Sequence, residues 1–284
     1  MGRHAYVNGR YVPHADAAVH IEDRGFQFAD GVYEVVAVRH GRMIDEAGHL
    51  DRLEYSLREL RIAWPCDRRV MQMIMRRLLD KNGVRDGLIY LQVTRGAAPR
   101  DFRFPARARS TLVMTTRRMV AGAHARTGVR VITVPDIRWA RRDIKTVGLL
   151  AQVLGKQAAA ESGAFEAWQL DDDGFVTEGT SSNAWIVTEG GVLVTRPATH
   201  AILNGITRQS VLRVAAEAGL AFEERPFHID EARVAREAFL SSSTSYVTPI
   251  IRIDDQQIDD GQPGPLSRRL LEAYVAHADG IAAS

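Results

Sequence analysis

Apolar residues along this chain change their period several times, and each change marks an element. Near the start, Ala5-Tyr6-Val7 and Tyr11-Val12 flank Asn8-Gly9, a dipeptide that favours a tight two-residue hairpin. Residues 32–38 form an apolar run of strand length, followed by a His40-Gly41 turn and a returning strand. Leu50, Leu53, Leu57 and Leu60 then recur at helical spacing, and Val70, Ile74 and Leu78 predict a second helix. Residues 88–93 and 111–115 return to strand character.

Residues 117–127 are small, polar and rich in arginine, and this shift in composition marks a domain boundary. Beyond it, 129–134 reads as a strand and 149–161 as an alanine-rich helix. Strands at 166–170, 184–187 and 192–195 surround turns at Asp173-Gly174 and Gly190-Gly191. A helix over 207–218 stops at Gly219. A strand, a helix near 230–236, a strand pair within 238–253 and an amphipathic helix over 266–278 complete the pattern. The expected organisation is thus an N-terminal α/β domain at 1–116, a linker at 117–127 and a C-terminal α/β domain at 128–284. Strands and helices do not alternate regularly, so the pattern predicts mixed sheets with flanking helices, an α+β or mixed α/β class, rather than a doubly wound fold.

Composition narrows the function. A length of 284 residues with 45% hydrophobic and 25% charged positions is ordinary for a globular chain. The net charge of +2 gives no field that would gather nucleic acid or an anionic membrane. No basic stripe with interleaved aromatics is present, which argues against nucleic-acid binding. Cys66 is the single cysteine, so an intrachain disulfide and a cysteine metal cluster are both excluded, and no metal is expected. No apolar run reaches the ~18 residues of a membrane span, and residues 1–11 lack the shape of a signal peptide. The expected location is the cytoplasm. Arginine dominates the 37 basic residues, the lysines being Lys81, Lys145 and Lys156.

One of those lysines stands out. Taken alone, Lys145 in Arg141-Arg142-Asp143-Ile144-Lys145-Thr146 reads as a solvated surface charge. It also lies between a strand-like segment and the apolar run Val147-Gly148-Leu149-Leu150, where an amine loses hydration and exposes its lone pair. Glu178, in Val176-Thr177-Glu178-Gly179-Thr180-Ser181-Ser182-Asn183, reads either as part of a polar loop or as a carboxylate aimed inward beside several hydroxyls. Pyridoxal phosphate chemistry requires both groups, an amine to condense with the aldehyde and a carboxylate to face the pyridine nitrogen. Asn204-Gly205-Ile206-Thr207-Arg208 leads into a helix, either as an ordinary N-cap or as a phosphate site built on free amides. Ser241-Ser242-Ser243-Thr244-Ser245 is either a serine-rich turn or a source of phosphate ligands. Arg52 is a third phosphate candidate, or a solvent-facing charge on its helix.

Together these pieces resemble the D-amino-acid aminotransferases of the fold-type IV pyridoxal-phosphate enzymes, a group that includes branched-chain aminotransferases and aminodeoxychorismate lyase. The matching segments are Asp30-Gly31-Val32-Tyr33-Glu34-Val35-Val36, His49-Leu50-Asp51-Arg52-Leu53, Tyr90-Leu91-Gln92-Val93-Thr94-Arg95-Gly96, Asp143-Ile144-Lys145, Thr177-Glu178-Gly179, Gly205-Ile206-Thr207-Arg208, and Ser243-Thr244-Ser245 with Thr248-Pro249. They run in the family's order over nearly the whole chain.

The resemblance implies a two-domain fold-type IV enzyme that binds pyridoxal 5′-phosphate, with Lys145 as Schiff-base lysine and proton shuttle. It implies that Glu178 pairs with the pyridinium nitrogen. Arg52, the amides of Ile206 and Thr207, and the hydroxyls of Ser243 or Thr244 would hold the phosphate. Ser181, Ser182 and Leu203 would line the ring, with Asn183 and Gly205 in the same cofactor set. Tyr33 and Arg100 would bind the substrate carboxylate. The implied reaction moves an amino group from a D-amino acid of the D-alanine or D-glutamate type to pyruvate or 2-oxoglutarate in ping-pong fashion, in a homodimer with the site near the subunit interface.

One position departs from the family pattern. The usual carboxylate trap is an arginine and a histidine two residues apart, and here Arg100 is followed by Phe102. Arg95 and Arg103 are the nearby cations that would make good the lost donor. Leu150 occupies the place where branched-chain enzymes carry a tyrosine, which favours the D-amino-acid subgroup, whereas Phe102 gives weight to an (R)-amine transaminase. A branched-chain L-amino-acid aminotransferase, a lyase that only eliminates, and a non-catalytic pyridoxal-phosphate binder complete the alternatives. The last of these needs neither Lys145 nor Glu178.

Overall fold

The computed structural model describes residues 3–280 apart from 121 and 123. The described residues fall into two compact units. One runs up to Val120 and includes Ile144–Gly148; the other holds the remainder. The expected linker at 117–127 straddles the passage between them, and its residues 121 and 123 lie outside the described residues.

The N-terminal unit is built on a six-stranded sheet. The hairpin of β1 (His4–Val7) and β2 (Arg10–Pro13) turns at Asn8 (φ 44°) and Gly9 (φ 96°), the left-handed pair that a two-residue hairpin demands. A short helix α1 (Arg24–Phe28) is capped by Asp23, whose carboxylate accepts from Gly25 N. Then come β3 (Gly31–Arg39), β4 (Arg42–Met43), helices α2 (Glu46–Glu59) and α3 (Arg68–Asn82), and strands β5 (Gly87–Thr94) and β6 (Thr111–Arg118). The sheet order is β2-β1-β6-β5-β3-β4, with antiparallel neighbours throughout. Leu50, Leu53 and Leu57 of α2 and Met71, Met75 and Leu78 of α3 cover one face of this sheet and are almost wholly buried against Val32, Val36, Ile89 and Leu91. The helix α1 had no periodic signal, because five residues give a helical period too little length to register.

The segment Ile144–Gly148 belongs to this unit and not to the C-terminal domain in which position along the chain puts Lys145. The reason is backbone pairing. Tyr33 N donates to Lys145 O (3.0 Å), Val147 N to Gly31 O (3.0 Å) and Lys145 N to Ser56 Oγ (3.2 Å), while Val32 and Thr146 form an isolated bridge. Ile144 is buried in the same core as Val32 and Val36. Pairing across the fold has outweighed proximity along the chain.

The C-terminal unit contains β7 (Val129–Pro135), α4 (Leu150–Glu161), β8 (Glu166–Leu170), β9 (Val176–Gly179), β10 (Asn183–Val187), β11 (Leu193–Thr195), α5 (Ile206–Glu217), β12 (Phe222–Glu224), α6 (Ile229–Arg233), β13 (Glu237–Ser242), β14 (Tyr246–Ile253), β15 (Gln256–Gln257) and α7 (Pro265–Asp279). Its sheet runs β12-β11-β10-β13-β14-β7-β8-β9, with β15 beside β14. Parallel pairs (β7 with β8, β7 with β14, β11 with β12) mix with antiparallel ones, which is the mixed sheet that irregular alternation predicts. Trp168, Phe227, Val131, Ile186 and Leu240 form its core. Residues read as a linker are compact: Gly122 N donates to Thr244 O and Gly128 N to His124 O.

Candidate active site

In the N-terminal unit the site grows from a charged residue on an apolar strand face. Val32, Glu34, Val36 and Val38 alternate onto the face of β3 that α2 covers, and Glu34 there is fully buried. A carboxylate in such a place needs partners. On α2, His49, Arg52 and Ser56 recur at three- and four-residue steps and so share one stripe. His49 Nδ1 lies 2.6 Å from Glu34 Oε2, and Arg52 donates from Nε to Oε1 and from Nη2 to Oε2, each at 2.8 Å. Burial alone would raise the Glu34 pKa, but Arg52 and His49 outweigh it and hold the group at about 2. Burial pushes His49 below its ordinary value. Arg52 is therefore not the solvent-facing charge that its helix suggested. It is a buried guanidinium with its fork aligned by Glu34.

Ser56, on the same stripe, accepts from Lys145 N and pins the backbone at that position. The Lys145 ammonium lies 4.3 Å from the centre of the Tyr33 ring and enters no ion pair among the described residues. Tyr33 points to the other face of β3 and stacks on Tyr90 at 5.7 Å. Burial, with Tyr33 adding to it, pushes the Tyr90 phenol up to about 12, so it stays neutral while donating to Gln92 Oε1 at 2.6 Å.

Arg100 and Phe102 lie on the segment between β5 and β6. The Arg100 guanidinium stands 4.6 Å over Phe28, and Phe102 is 84% exposed. Of the two cations proposed as replacements for the missing histidine, Arg95 is committed to other partners. Arg95 is buried, with Nε and Nη2 on Asp30 and further bonds to the Arg61 and Leu60 carbonyls. Arg103 is exposed and closed onto Asp101. Arg95 therefore fastens the start of this segment.

In the C-terminal unit Glu178 stands on β9, all four residues of which are buried, not on a polar loop. The β signal was hidden by the polar residues Thr177 and Glu178, which the tertiary structure satisfies internally. Arg138 Nη1 donates to Glu178 Oε1, Asn183 Nδ2 to Oε2 at 3.1 Å, and Leu203 N reaches both oxygens at 3.2 Å. Arg138 is itself clamped by Asp136, through Nε at 2.9 Å and Nη2 at 2.7 Å. Thr177 Oγ1 also donates to Asp136, and Arg142 Nε lies 3.2 Å from it, an ion-pair distance without hydrogen-bond geometry. Burial opposes the charge on Arg138, yet Glu178 and Asp136 carry its pKa above the usual arginine value. Burial works likewise against the Asp136 charge, and Arg138, Thr177 and Arg142 bring its pKa below the usual carboxylate range.

Asn183 joins this carboxylate to the start of α5. Its Nδ2 also donates to Leu203 O at 2.9 Å, and its Oδ1 packs so closely on Gly205 that a methyl there would overlap it. Gly205 has an ordinary φ of −63°, so close approach and not backbone freedom selects glycine. No side chain caps α5, which leaves the first-turn amides, including those of Ile206 and Thr207, without an intrahelical acceptor. Arg208 in that turn is 2% exposed, and its Nε has no partner. Asn183 of β10 sits opposite Ser241 of β13, so the turn entering β10 and the Ser243-Thr244 turn leaving β13 share one end of the sheet. Ser181 and Ser182 both donate to the buried carboxylate of Glu166.

The structure thus sets the Lys145 ammonium beside Tyr33, ties the Lys145 backbone through Ser56 to the α2 stripe that carries Arg52, and brings Glu178, Asn183, Leu203, Gly205 and the α5 start into a second cluster. Glu34, His49, Asp136, Arg138 and Glu166 were not singled out by the sequence. Only Glu34 left a signal, a lone charge interrupting an apolar strand.

The amino-transferase class IV family matches residues 31–253 of this chain. The chain belongs to that family and is an aminotransferase. It is 42% identical over 267 residues to a D-alanine aminotransferase of Bacillus licheniformis, covering 94% of each sequence. It is 37% identical over 276 residues to a D-alanine aminotransferase of Staphylococcus aureus, covering 96% of this chain and 97% of that one. Its fold is that of a branched-chain amino acid aminotransferase from Escherichia coli, with a TM-score of 0.91 at 23% identity over 100% of this chain and 97% of the other. A T.th. branched-chain amino acid aminotransferase with pyridoxamine 5′-phosphate superimposes with a TM-score of 0.90 at 25% identity, over 99% and 95% of the two chains.

Proposed function

We propose that this chain transfers amino groups between D-amino acids and 2-oxo acids with pyridoxal 5′-phosphate as cofactor. The observation that carries the cofactor is the set of groups on offer. The N-terminal unit holds an amine with no ion pair among the described residues and a guanidinium whose orientation Glu34 fixes. The C-terminal unit holds a buried carboxylate fixed by three donors and an uncapped helix start beside a buried, unpartnered Arg208 Nε. The amine suits an aldehyde, the carboxylate a ring nitrogen, and the guanidinium and helix start a phosphate.

When bound, the cofactor supplies an aldehyde that captures amines and a ring that accepts electron density. Lys145 would be the amine for that aldehyde and the base that takes and returns the α-proton. Glu178 would be the carboxylate for the ring nitrogen, and Arg138, Asn183 and Leu203 N keep it in one orientation. Arg52, the Ile206 and Thr207 amides and the Ser243 or Thr244 hydroxyl would hold the phosphate. Tyr33 and Arg100 receive the substrate carboxylate, and the loss of the histidine at Phe102 leaves Arg100 as the main cation there. Likeness to the two D-alanine aminotransferases supports the D stereochemistry and substrates of the alanine and glutamate type. A homodimer in the cytoplasm goes with this reading.

Purified protein titrated with pyridoxal 5′-phosphate is expected to gain a visible absorbance band, and Lys145→Ala to lose both band and turnover. A turning-over Lys145→Ala protein refutes the assignment. A panel of D- and L-amino acids read by chiral chromatography tests the stereochemistry, and L-specific consumption of leucine would replace the D reading with the branched-chain one.

A further inference from the structure

Three hydroxyls on consecutive residues converge on one buried carboxylate. Glu166 on β8 is 1% exposed. Its Oε1 accepts from Thr180 Oγ1, and its Oε2 from Ser181 Oγ at 2.8 Å and Ser182 Oγ at 3.3 Å. Ser181 N approaches the same oxygen at 3.3 Å, and Ala167 N donates to Oε1 at 3.0 Å. Lys156 of α4, a side chain that reaches solvent, places its ammonium 3.5 Å from Oε1. The turn bearing the hydroxyls is closed by Gly179 N donating to Ser182 O at 2.7 Å. A side chain at Gly179 would overlap Ser182 Oγ and stand 3.2 Å from Glu166 Cγ, so the turn and the carboxylate are fitted to each other.

The chemistry of these groups sets a direction. A carboxylate only accepts, and each hydroxyl has a single hydrogen to give. Thr180, Ser181 and Ser182 direct theirs to Glu166, and only oxygen lone pairs remain for anything else near the turn. Hydroxyls in that state do not donate to an anion.

We propose that Glu166 is a positioning residue that fixes the proton polarity of the Thr180–Ser182 turn, making Ser181 and Ser182 acceptors toward the ring of the cofactor and removing them from phosphate binding. This rests on the cofactor reading above and divides its ligands. The α5 amides and the Ser243-Thr244 hydroxyls supply the phosphate donors of the C-terminal unit, and the 180–182 turn favours the protonated form of the group it faces.

The test uses the wild-type chain, Glu166→Gln and Glu166→Ala, each titrated with pyridoxal 5′-phosphate and with pyridoxal, which lacks the phosphate. Glutamine keeps the volume and presents an NH2 that donates, so at least one hydroxyl must turn its hydrogen outward. Glu166→Gln is expected to weaken both ligands by a similar factor, roughly tenfold, as for the loss of one charge-assisted hydrogen bond. The pH midpoint of the bound visible band is expected to fall by about one unit.

A change in the ratio of the two dissociation constants beyond roughly threefold would place the turn on the phosphate and overturn the proposal. So would unchanged binding, or a lowered thermal midpoint with the pH midpoint in place, which is the mark of a purely structural role. If Glu166→Ala fails to fold, the glutamine variant decides the matter alone. Uptake of neither ligand by the wild-type chain refutes the cofactor reading itself, and that result is seen before any substitution is compared.

Discussion

Replacing Gly205 with alanine isolates the joint between the Glu178 carboxylate and the start of α5. The new methyl would overlap Asn183 Oδ1 and stand 3.2 Å from Asn183 Cγ, and the φ of −63° adds no backbone strain. Alanine restricts the unfolded chain, a gain of about 0.4–1 kcal/mol, and is a poorer N-cap than glycine by a similar amount, so these effects nearly cancel. What remains is the displacement of Asn183, which is 4% exposed and has little room to move. Its Nδ2 loses a bond to a charged oxygen of Glu178, worth about 1.5–3 kcal/mol, and one to the neutral Leu203 carbonyl, worth about 0.5–1.5 kcal/mol. The expected cost is about 2–4 kcal/mol, or, for a chain of 284 residues, a fall of roughly 3–7 °C in the thermal midpoint.

The assay is thermal denaturation of the cofactor-free protein for Gly205→Ala, Asn183→Ala and the double variant. With the asparagine already cut back the methyl keeps only an ordinary contact with Arg208 Cβ at 3.4 Å, so the double variant should match Asn183→Ala to within about 0.5 kcal/mol. Strict additivity of the two losses, or a Gly205→Ala protein as stable as wild type, refutes the claim that the glycine is there to admit Asn183.

Further outcomes follow from the same contacts. Arg138→Met strips one clamp from Glu178 and leaves Asp136 buried beside Arg142, so stability should fall by about 3–5 kcal/mol in chemical denaturation, with weaker cofactor uptake; a stable variant with full uptake contradicts the proposed role. Glu34 is depressed from 4.5 to about 2, so its stabilisation, on the order of 3 kcal/mol, is complete above pH 4.5 and disappears as pH falls toward about 2. His49, also depressed, withdraws stability in the same direction from its ordinary value of 6.5 downward. Urea titrations across pH 2 to 7 should therefore show acid loss in the wild type and a flatter profile in Glu34→Gln, and parallel profiles would contradict the assignment. Arg100→Ala should depress kcat/KM for D-amino acids far more than for amines without a carboxylate, and equal losses on both would remove Arg100 from carboxylate binding.

The periodicity of apolar residues determined most elements within a residue or two, because the 3.6 and 2.0 periods are local geometry. The Asn8-Gly9 hairpin, the leucine stripe of α2 and the Gly219 stop after α5 all follow from neighbouring residues. Lys145, Glu178, Arg52 and the α5 start were visible as residue types in ordered motifs. Their surroundings were not. Arg52 looked like a surface charge until the fold set Glu34 opposite it, 18 positions earlier in the chain. Glu178 looked like a loop residue until Arg138 and Leu203, 40 and 25 positions away, enclosed it in a strand. Lys145 looked attached to the domain that follows it until hydrogen bonds to Tyr33 and Ser56 drew its segment into the N-terminal unit. Local sequence sets backbone preference and the chemistry on hand. Which buried charge finds which partner is settled by contacts between residues far apart in the chain, and only the folded structure supplies those.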